Sequence, residues 1–447
     1  MYTSIDLFSG PGGLCTGFKW AGIKPLIAVE WSGWTVQTYA SSHDADIFEL
    51  EKYLDGTLEN ADEFFKPNDK TLIIHGDINK VKIELIIKIL NSRFNVNTVD
   101  VVSGGAPCES FSLAGDRKED DDRNNLFLNI LRIARGVDAP MIVFENVKGL
   151  FSKKLDGIPG KMFEEICKEF ESSKKNSPKY KLASKDKDTV LLKAADFGVP
   201  QNRERLFLVA INKKYRNAKF SYPRPTHGRE TDKEYVTVAD ALLDLPQIDS
   251  GQESEIYDFD INSITDRKRL EFLQLMRGVS KTPPIHLNYN RYSISSHKSV
   301  NHRENMRMRM ALILPGENME IACTRLTADN QEELVDMYFP KKKYAARNRR
   351  LKEDEPSFTV TSHCLDEMIH PTLNRALTPR EAARLQSFPD WYVFEGPYVK
   401  FHSDPEQDRY EQIGDAIPPL LAYNLAKEIV KTLNSIFNNV NIREGNV

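Results

Sequence analysis

Short apolar runs separated by amphipathic stretches fill the first half of the chain. This alternation limits the fold more than any other feature. Residues 4–8, 26–30, 72–77, 99–103 and 141–145 each read as a strand, and residues 206–211 as another. Strands interleaved with helical patterns predict an α/β fold, a parallel sheet with helices on both faces. On such sheets ligands gather outside the carboxyl ends of the strands. Phe8, Glu30, Asp77, Pro107, Cys108 and Glu145 all fall at predicted strand ends. One sheet edge is therefore predicted to collect them.

The first strand runs into Gly10-Pro11-Gly12-Gly13, and a helix is predicted to follow through Phe18. Glycine there lets the backbone turn tightly and approach a ligand. The dinucleotide fingerprint needs a glycine five residues after the first, and Cys15 stands there, which disfavours a nicotinamide site. Glu30 suits a ribose diol, Trp31 beside it can stack on a purine, and Asp77 can accept from an adenine amino group. Each alone is ordinary at a solvated strand end. Three in sequence favour an adenosine-type cofactor.

Cys108 follows a Gly-Gly-Ala-Pro turn and precedes polar residues, which weighs against a buried structural thiol. A thiolate is the attacking species in nucleophilic catalysis, so such a cysteine needs a lowered pKa or a nearby base. Glu145 ends an apolar run, where a carboxylate must be exposed or paired. Arg203 and Arg205 alternate with Asn202 and Glu204 ahead of a strand. Nucleophile, carboxylate and arginines are the groups needed to add to an electron-poor ring, protonate it and hold it.

A chain of 447 residues can bury a large core and is read as two domains. Periodicity weakens after about residue 215. A proline-rich exit follows at 222–226, and polar residues dominate from 249 to 356. Helical patches are predicted at 238–245, 267–276 and 332–337, and a lysine- and serine-rich connection or hairpin at 172–188. Thr378 reads as a helix N-cap with Pro379 in the first turn, and residues 418–433 as a closing amphipathic helix. No apolar run of 18 residues exists, so no membrane span is expected. No secretory leader is expected either. The five cysteines lack a C-x-x-C pair, which argues against disulfides or a metal centre and fits a reducing cytoplasm.

The net charge of −4 does not advertise a polyanion partner, but local charge does. Residues 341–352 hold seven basic side chains, among them Arg347, Arg349 and Arg350, and no acid. Residues 288–310 add Arg291, Lys298, Arg303, Arg307 and Arg309 against the single acid Glu304. A phosphate-facing surface in this region is the expectation.

In this order the motifs resemble those of the DNA cytosine-5 methyltransferases of bacterial restriction–modification type. The resemblance covers most of residues 1–215 and 370–425. It implies a Rossmann-like sheet that binds S-adenosyl-L-methionine, a smaller irregular target-recognition domain, and duplex DNA as substrate. It implies a catalytic domain over 1–215 completed by 405–447, with recognition over 216–404. Phe8, Gly10, Gly12, Gly13, Glu30, Trp31, Asp77, Ile78, Pro107 and Asp415 would then contact the cofactor. Cys108 would be the nucleophile, Glu145 would meet the N3/N4 edge of cytosine, and Arg205, with Arg203 beside it, would meet O2. Residues 375–389 resemble the motif that organises the recognition domain, and residues 412–419 the last motif. Glu109 stands where the family usually has Gln, and Asp415 where it usually has Asn. The loop 109–125 is expected to close over the site with Gly115 as a hinge. The same core also serves a tRNA cytosine-5 methyltransferase, and a catalytically silent DNA-binding regulator is a further alternative. A cytoplasmic, nucleoid-associated monomer is expected, with a restriction endonuclease or another defence system as companion.

Overall fold

The computed structural model describes residues 1–106, 126–155, 157–172, 178–287, 292–342, 346–400 and 404–444. The chain divides into two compact units. The first comprises Met1–Lys193, Glu204–Arg224 and Leu421–Val447; the second comprises Ala194–Arg203 and Pro225–Leu420. The sequence-based division differs at its edges: residues 194–203 and 405–420 count with the second unit.

The first unit is built on strands β1 (Tyr2–Leu7), β2 (Ile23–Glu30), β3 (Asp46–Glu49), β4 (Leu72–His75), β5 (Val101–Gly104), β6 (Met141–Val147), β7 (Tyr180–Leu182), β8 (Leu191–Lys193) and β9 (Glu204–Asn212). Their order across the sheet is β8-β9-β6-β5-β1-β2-β4-β3, with β7 also on β9. The pairs from β6 to β3 are parallel, and β9 runs antiparallel to β6. From β1 the chain first builds outward through β2 and then returns to place β5 on the other flank. The reversal point therefore lies between β1 and β5, where Leu7 stands opposite Gly104. A crevice at such a switch point is where open α/β sheets bind ligands.

Both faces of the sheet are covered, which is why its strands read as near-continuous apolar runs. Alternation still sorts the side chains. Ile27 and Val29 of β2 join the larger core with Ile5, Leu72 and Ile130. Ala28 packs on the other face with Cys15, Val36, Tyr39 and Ile73. The helices Gly13–Trp20 and Gly33–His43 supply that second face, while Ile83–Phe94, Leu126–Gly136 and Lys161–Glu171 contribute to the first. Part of the stretch read as a connection at 172–188 is strand β7, paired on β9.

Among its described residues the second unit has two-residue strands and short helices. Buried arginines do much of the work that strand ladders do in the first. Arg384 grips Asp390 through Nε and Nη2 at 2.6 and 2.7 Å, and Asp244 through Nη1 and Nη2 at 3.0 Å each. Arg277 reaches Asp390 at 2.8 Å. Arg375 forks onto Glu381 at 2.8 and 2.7 Å. Glu381 also closes a capping box with Thr378 at the start of helix Pro379–Leu385, as the N-cap reading anticipated. Such planar two-bond pairing is specific to guanidinium.

One buried acid lies inside the first unit's sheet. Asp6 accepts from Ser103 Oγ at 2.8 Å, its direct cross-strand neighbour, and from the Cys15 thiol at 3.0 Å. Burial pushes its carboxyl up from 3.8 to about 6, against the pull of those two bonds. The folded state therefore holds this proton more tightly than the unfolded chain. Its contribution to stability is full below about pH 3.8 and is lost as pH rises through about 6, a swing of about 3 kcal/mol. Asp6→Asn lacks that swing. Urea melts from about pH 4.5 to 7.5, bracketing that titration, should show the stability difference moving toward the Asn variant as pH rises. A difference that stays flat contradicts the burial argument.

Candidate active site

The glycine turn after β1 is tied to the end of β2 by a carboxylate. Glu30 Oε2 accepts from Gly10 N at 3.0 Å, and Oε1 accepts from Trp31 N and Ser32 N at 2.8 and 3.1 Å. A carboxylate offers about four lone-pair sites, so the backbone uses three and one remains. The sequence reading had asked Glu30 for two. Burial raises the Glu30 carboxyl, and the three N–H bonds oppose the shift. Phe8 is held at φ +57, a left-handed conformation that costs a non-glycine residue about 1–2 kcal/mol. Such strain persists where the surroundings over-determine it, often beside ligands. Gly12, at φ +99, caps helix Gly13–Trp20 and carries the turn into it.

Next along the edge, Trp31 is half exposed, while Ile78 is buried. Asp77 caps a short 3-10 turn through a bond from Asn79 N at 2.9 Å. His75 was not singled out from the sequence. Its Nδ1 lies 2.9 Å from Glu49 Oε2 and its Nε2 lies 3.2 Å from the Trp31 carbonyl. It thereby braces the backbone that presents Trp31. The only clue in the sequence is its place at the end of an apolar run.

Across the switch point, β6 and β9 set the second cluster. Arg205 is paired with Val147 and Phe207 with Glu145, so Glu145 and Arg205 are diagonal neighbours on one face. Arg205 Nε lies 3.0 Å from Glu145 Oε1. The next residue, Asn146, is buried and donates from Nδ2 to the Ala106 carbonyl at 3.0 Å. It thus pins the backbone immediately ahead of Pro107. Gly105 completes the fit: a β-carbon there would lie 2.6 Å from Glu145 Oε2. Pro107 and Cys108 lie outside the described residues, as do Glu109, Gly115 and the rest of the loop 109–125.

The remaining expected residues lie in the second unit. Arg203 is fully buried there, and its guanidinium donates to the carbonyls of Val360, Gly414 and Ala416 at 2.7, 2.7 and 3.1 Å. It is not beside Arg205 in environment, because β9 begins at Glu204 and leaves Arg203 off the strand. Asp415 is exposed and accepts from Gln407 Nε2 at 2.8 Å. Arg350, expected to face phosphate, is buried instead. It donates to the carbonyls of Met310, Ile313, His370 and Leu373 and to Asn374 Oδ1, and burial lowers its pKa to about 10. That expectation is corrected: composition cannot tell a solvated arginine from one that staples backbone. Arg349 lies over the Phe358 ring at 3.4 Å. Arg347, Arg303 and Lys298 are exposed. Arg347 is 3.8 Å from Asp366 and Lys298 is 3.3 Å from Glu253. Arg291 lies outside the described residues.

Two substitutions check this geometry. Gly105→Ala should displace the Glu145 carboxylate and cut turnover at least tenfold, about 1.4 kcal/mol in the barrier, with an unchanged melting temperature; near wild-type turnover contradicts the close approach. Arg350→Gln should destabilise by about 3 kcal/mol, since it strands buried carbonyls, whereas Arg347→Gln should leave the melt unchanged and lower the salt dependence of polyanion binding by about one unit. The reverse pattern in melts and binding would restore Arg350 to the surface.

Comparison with known proteins adds the family. The model of the C-5 cytosine-specific DNA methylases matches residues 2–65 and 57–431. The type II methyltransferase M1.HphI of Haemophilus parahaemolyticus is 30% identical over 96% of this chain and 87% of its own. M.DdeI of Desulfomicrobium norvegicum is 29% identical over 99% of this chain and 91% of its own. A solved prophage-encoded DNA modification methyltransferase of E. coli shares the fold at TM-score 0.65, with 24% identity over 97% of this chain and all of its own. With a parallel sheet reversing between β1 and β5, a glycine turn locked to Glu30 and Glu145 set against Arg205, the chain belongs to the C-5 cytosine-specific DNA methyltransferases.

Proposed function

We propose that the protein methylates C5 of a cytosine turned out of a specific duplex DNA sequence, using S-adenosyl-L-methionine and a transient bond from Cys108 to C6. The observation that carries this reading is the Glu145–Arg205 pair at the switch-point edge, one pinned residue away from Pro107-Cys108. The cofactor's share is an electrophilic methyl group. The donor set on the first unit suits it: the remaining lone pair of Glu30 for a ribose hydroxyl, the exposed Trp31 face for the purine, and Asp77 for the adenine amino group. Phe8, Gly10, Gly12, Gly13, Ile78 and Pro107 would line the same pocket.

A stacked cytosine cannot reach these groups, so the base must leave the helix, at a cost of a few kcal/mol. Arg205 then donates to O2, and Glu145 meets the N3/N4 edge. The Cys108 thiolate adds to C6, and the ring's negative charge is met by a proton at N3 held by Glu145. C5 thereby becomes nucleophilic. After C5 is methylated it loses its proton to a base, and the returning electron pair expels the thiolate. Arg203, bound to backbone carbonyls, acts as a positioning residue in this scheme. Target sequence is assigned to the second unit, over 250–370, and the type II relatives support a companion endonuclease.

Cys108→Ser should abolish methyl transfer to duplex DNA while cofactor binding and melting temperature stay at wild-type levels, because an alkoxide is scarce at neutral pH whereas a thiolate is accessible. Tritiated methyl transfer to plasmid DNA and to tRNA measures it. Turnover in the serine variant overturns the covalent scheme, and transfer to tRNA alone overturns the substrate.

A further inference from the structure

The carboxyl edge of the sheet is not the only surface of the first unit suited to a polyanion. A groove of about 690 Å³ opens at the far end of β9, lined by Lys181, Lys213, Arg216 and Lys219 with no carboxylate among its lining residues. All four cations are exposed, and none lies within ion-pair distance of an acid among the described residues. Several cations elsewhere on this unit are paired: Lys70 with Asp44, Lys80 with Glu51, Lys148 with Glu204. Even next to the groove, Lys214 is held by Asp138 and Lys185 by Glu171. Glu171 does feel Lys213, but its oxygens are taken by Lys185 and the Leu182 N–H. Lys179, exposed and bonded through its carbonyl to Lys213 N at 2.7 Å, adds a further cation beside the groove.

Four unpaired like charges around one concavity repel each other and concentrate anions. In a chain of net charge −4, they do not follow from overall composition. The groove's place in the fold says which stretch of polyanion it can meet. Asn212 ends β9 where β6 begins, at Met141, so this is the amino edge of the parallel strands. Arg205 and Glu145 lie toward the carboxyl edge. Seven residue steps along β9 take Arg205 to Asn212, about 23 Å of strand. The groove and the catalytic pair therefore lie at opposite ends of the strand.

We propose that this groove is a second, sequence-independent contact for the phosphodiester backbone of duplex DNA, engaging a segment other than the one being methylated. The inference rests on DNA being the substrate. A protein so equipped holds two stretches of duplex at once, which favours transfer between neighbouring segments of one long molecule.

The test measures binding of a 60-bp random-sequence duplex by fluorescence anisotropy across a salt series (about 50 to 250 mM, where phosphate contacts dominate). The full chain is compared with K181Q/K213Q/R216Q/K219Q and with K52Q/K66Q/K70Q/K82Q, which makes the same change of net charge elsewhere on the unit. The groove variant should lose about 0.9 of log–log salt slope per contact removed, up to about 3.6 in all, and bind at least tenfold more weakly at the lowest salt. The control variant should keep the wild-type slope, and both should melt with the wild type. An unchanged slope in the groove variant, an equal loss in both variants, or an effect seen with tRNA but not with the duplex would each overturn the proposal. Methyl transfer by the wild-type chain to plasmid is read in parallel. Its failure strikes the enzymatic reading, while an unchanged slope strikes the groove alone.

Discussion

The antiparallel seating of β9 on β6 is the constraint on which the site depends. It ends the parallel run that extends from β3 to β6, and it sets Arg205 diagonally across from Glu145. A one-residue slip in register would turn Arg205 to the opposite face of the sheet. That register is held deeper in the sheet by Leu206, Leu208 and Ala210, which are buried in the main core. The position of a polar pair at the edge is thus decided by apolar packing behind it. Asn146, from the same strand, passes the constraint on to the backbone at Ala106.

A different physics holds the second unit. Its strands are too short to supply a ladder, and its helix-borne arginines replace one. Arg375, Arg380 and Arg384 project from a single motif and are all fully buried, each ending on carboxylates or carbonyls. Removing one partner from such a network leaves a buried charge unpaired, which costs several kcal/mol. The unit can therefore keep one shape while its exposed segments vary.

The sheet was legible because burial on both faces demands continuous apolar runs, and those are visible in a linear string. Residues 267–276 and the Thr378 cap were legible for equally local reasons. The helices Glu304–Ala311 and Met319–Ala328 lie in a stretch read as aperiodic, since the first is mostly polar and buries only Met310. Long-range partners were invisible. Nothing near Arg350 in the chain announces the carbonyls of Met310 or His370, and nothing near Arg203 announces Gly414. The resemblance sets Arg203 beside Arg205, but the strand begins at Glu204 and leaves Arg203 off it. Likewise, the glutamate at the end of β2 looked like an open acceptor, and only the fold reveals how many of its lone pairs the backbone has taken.

That last feature bears on the electrical sign of the glycine turn. Glycine-rich turns that cradle phosphates present free N–H groups and a positive end. Here the N–H of Gly10 is spent on Glu30, and a carboxylate stands behind the loop. The turn has the shape of a nucleotide cradle but the opposite polarity. Di- and triphosphates, abundant in any cell and sharing the adenosine half of the cofactor, meet repulsion where they would need donors. A ligand whose adenosine carries a positively charged sulfur in place of phosphate meets none.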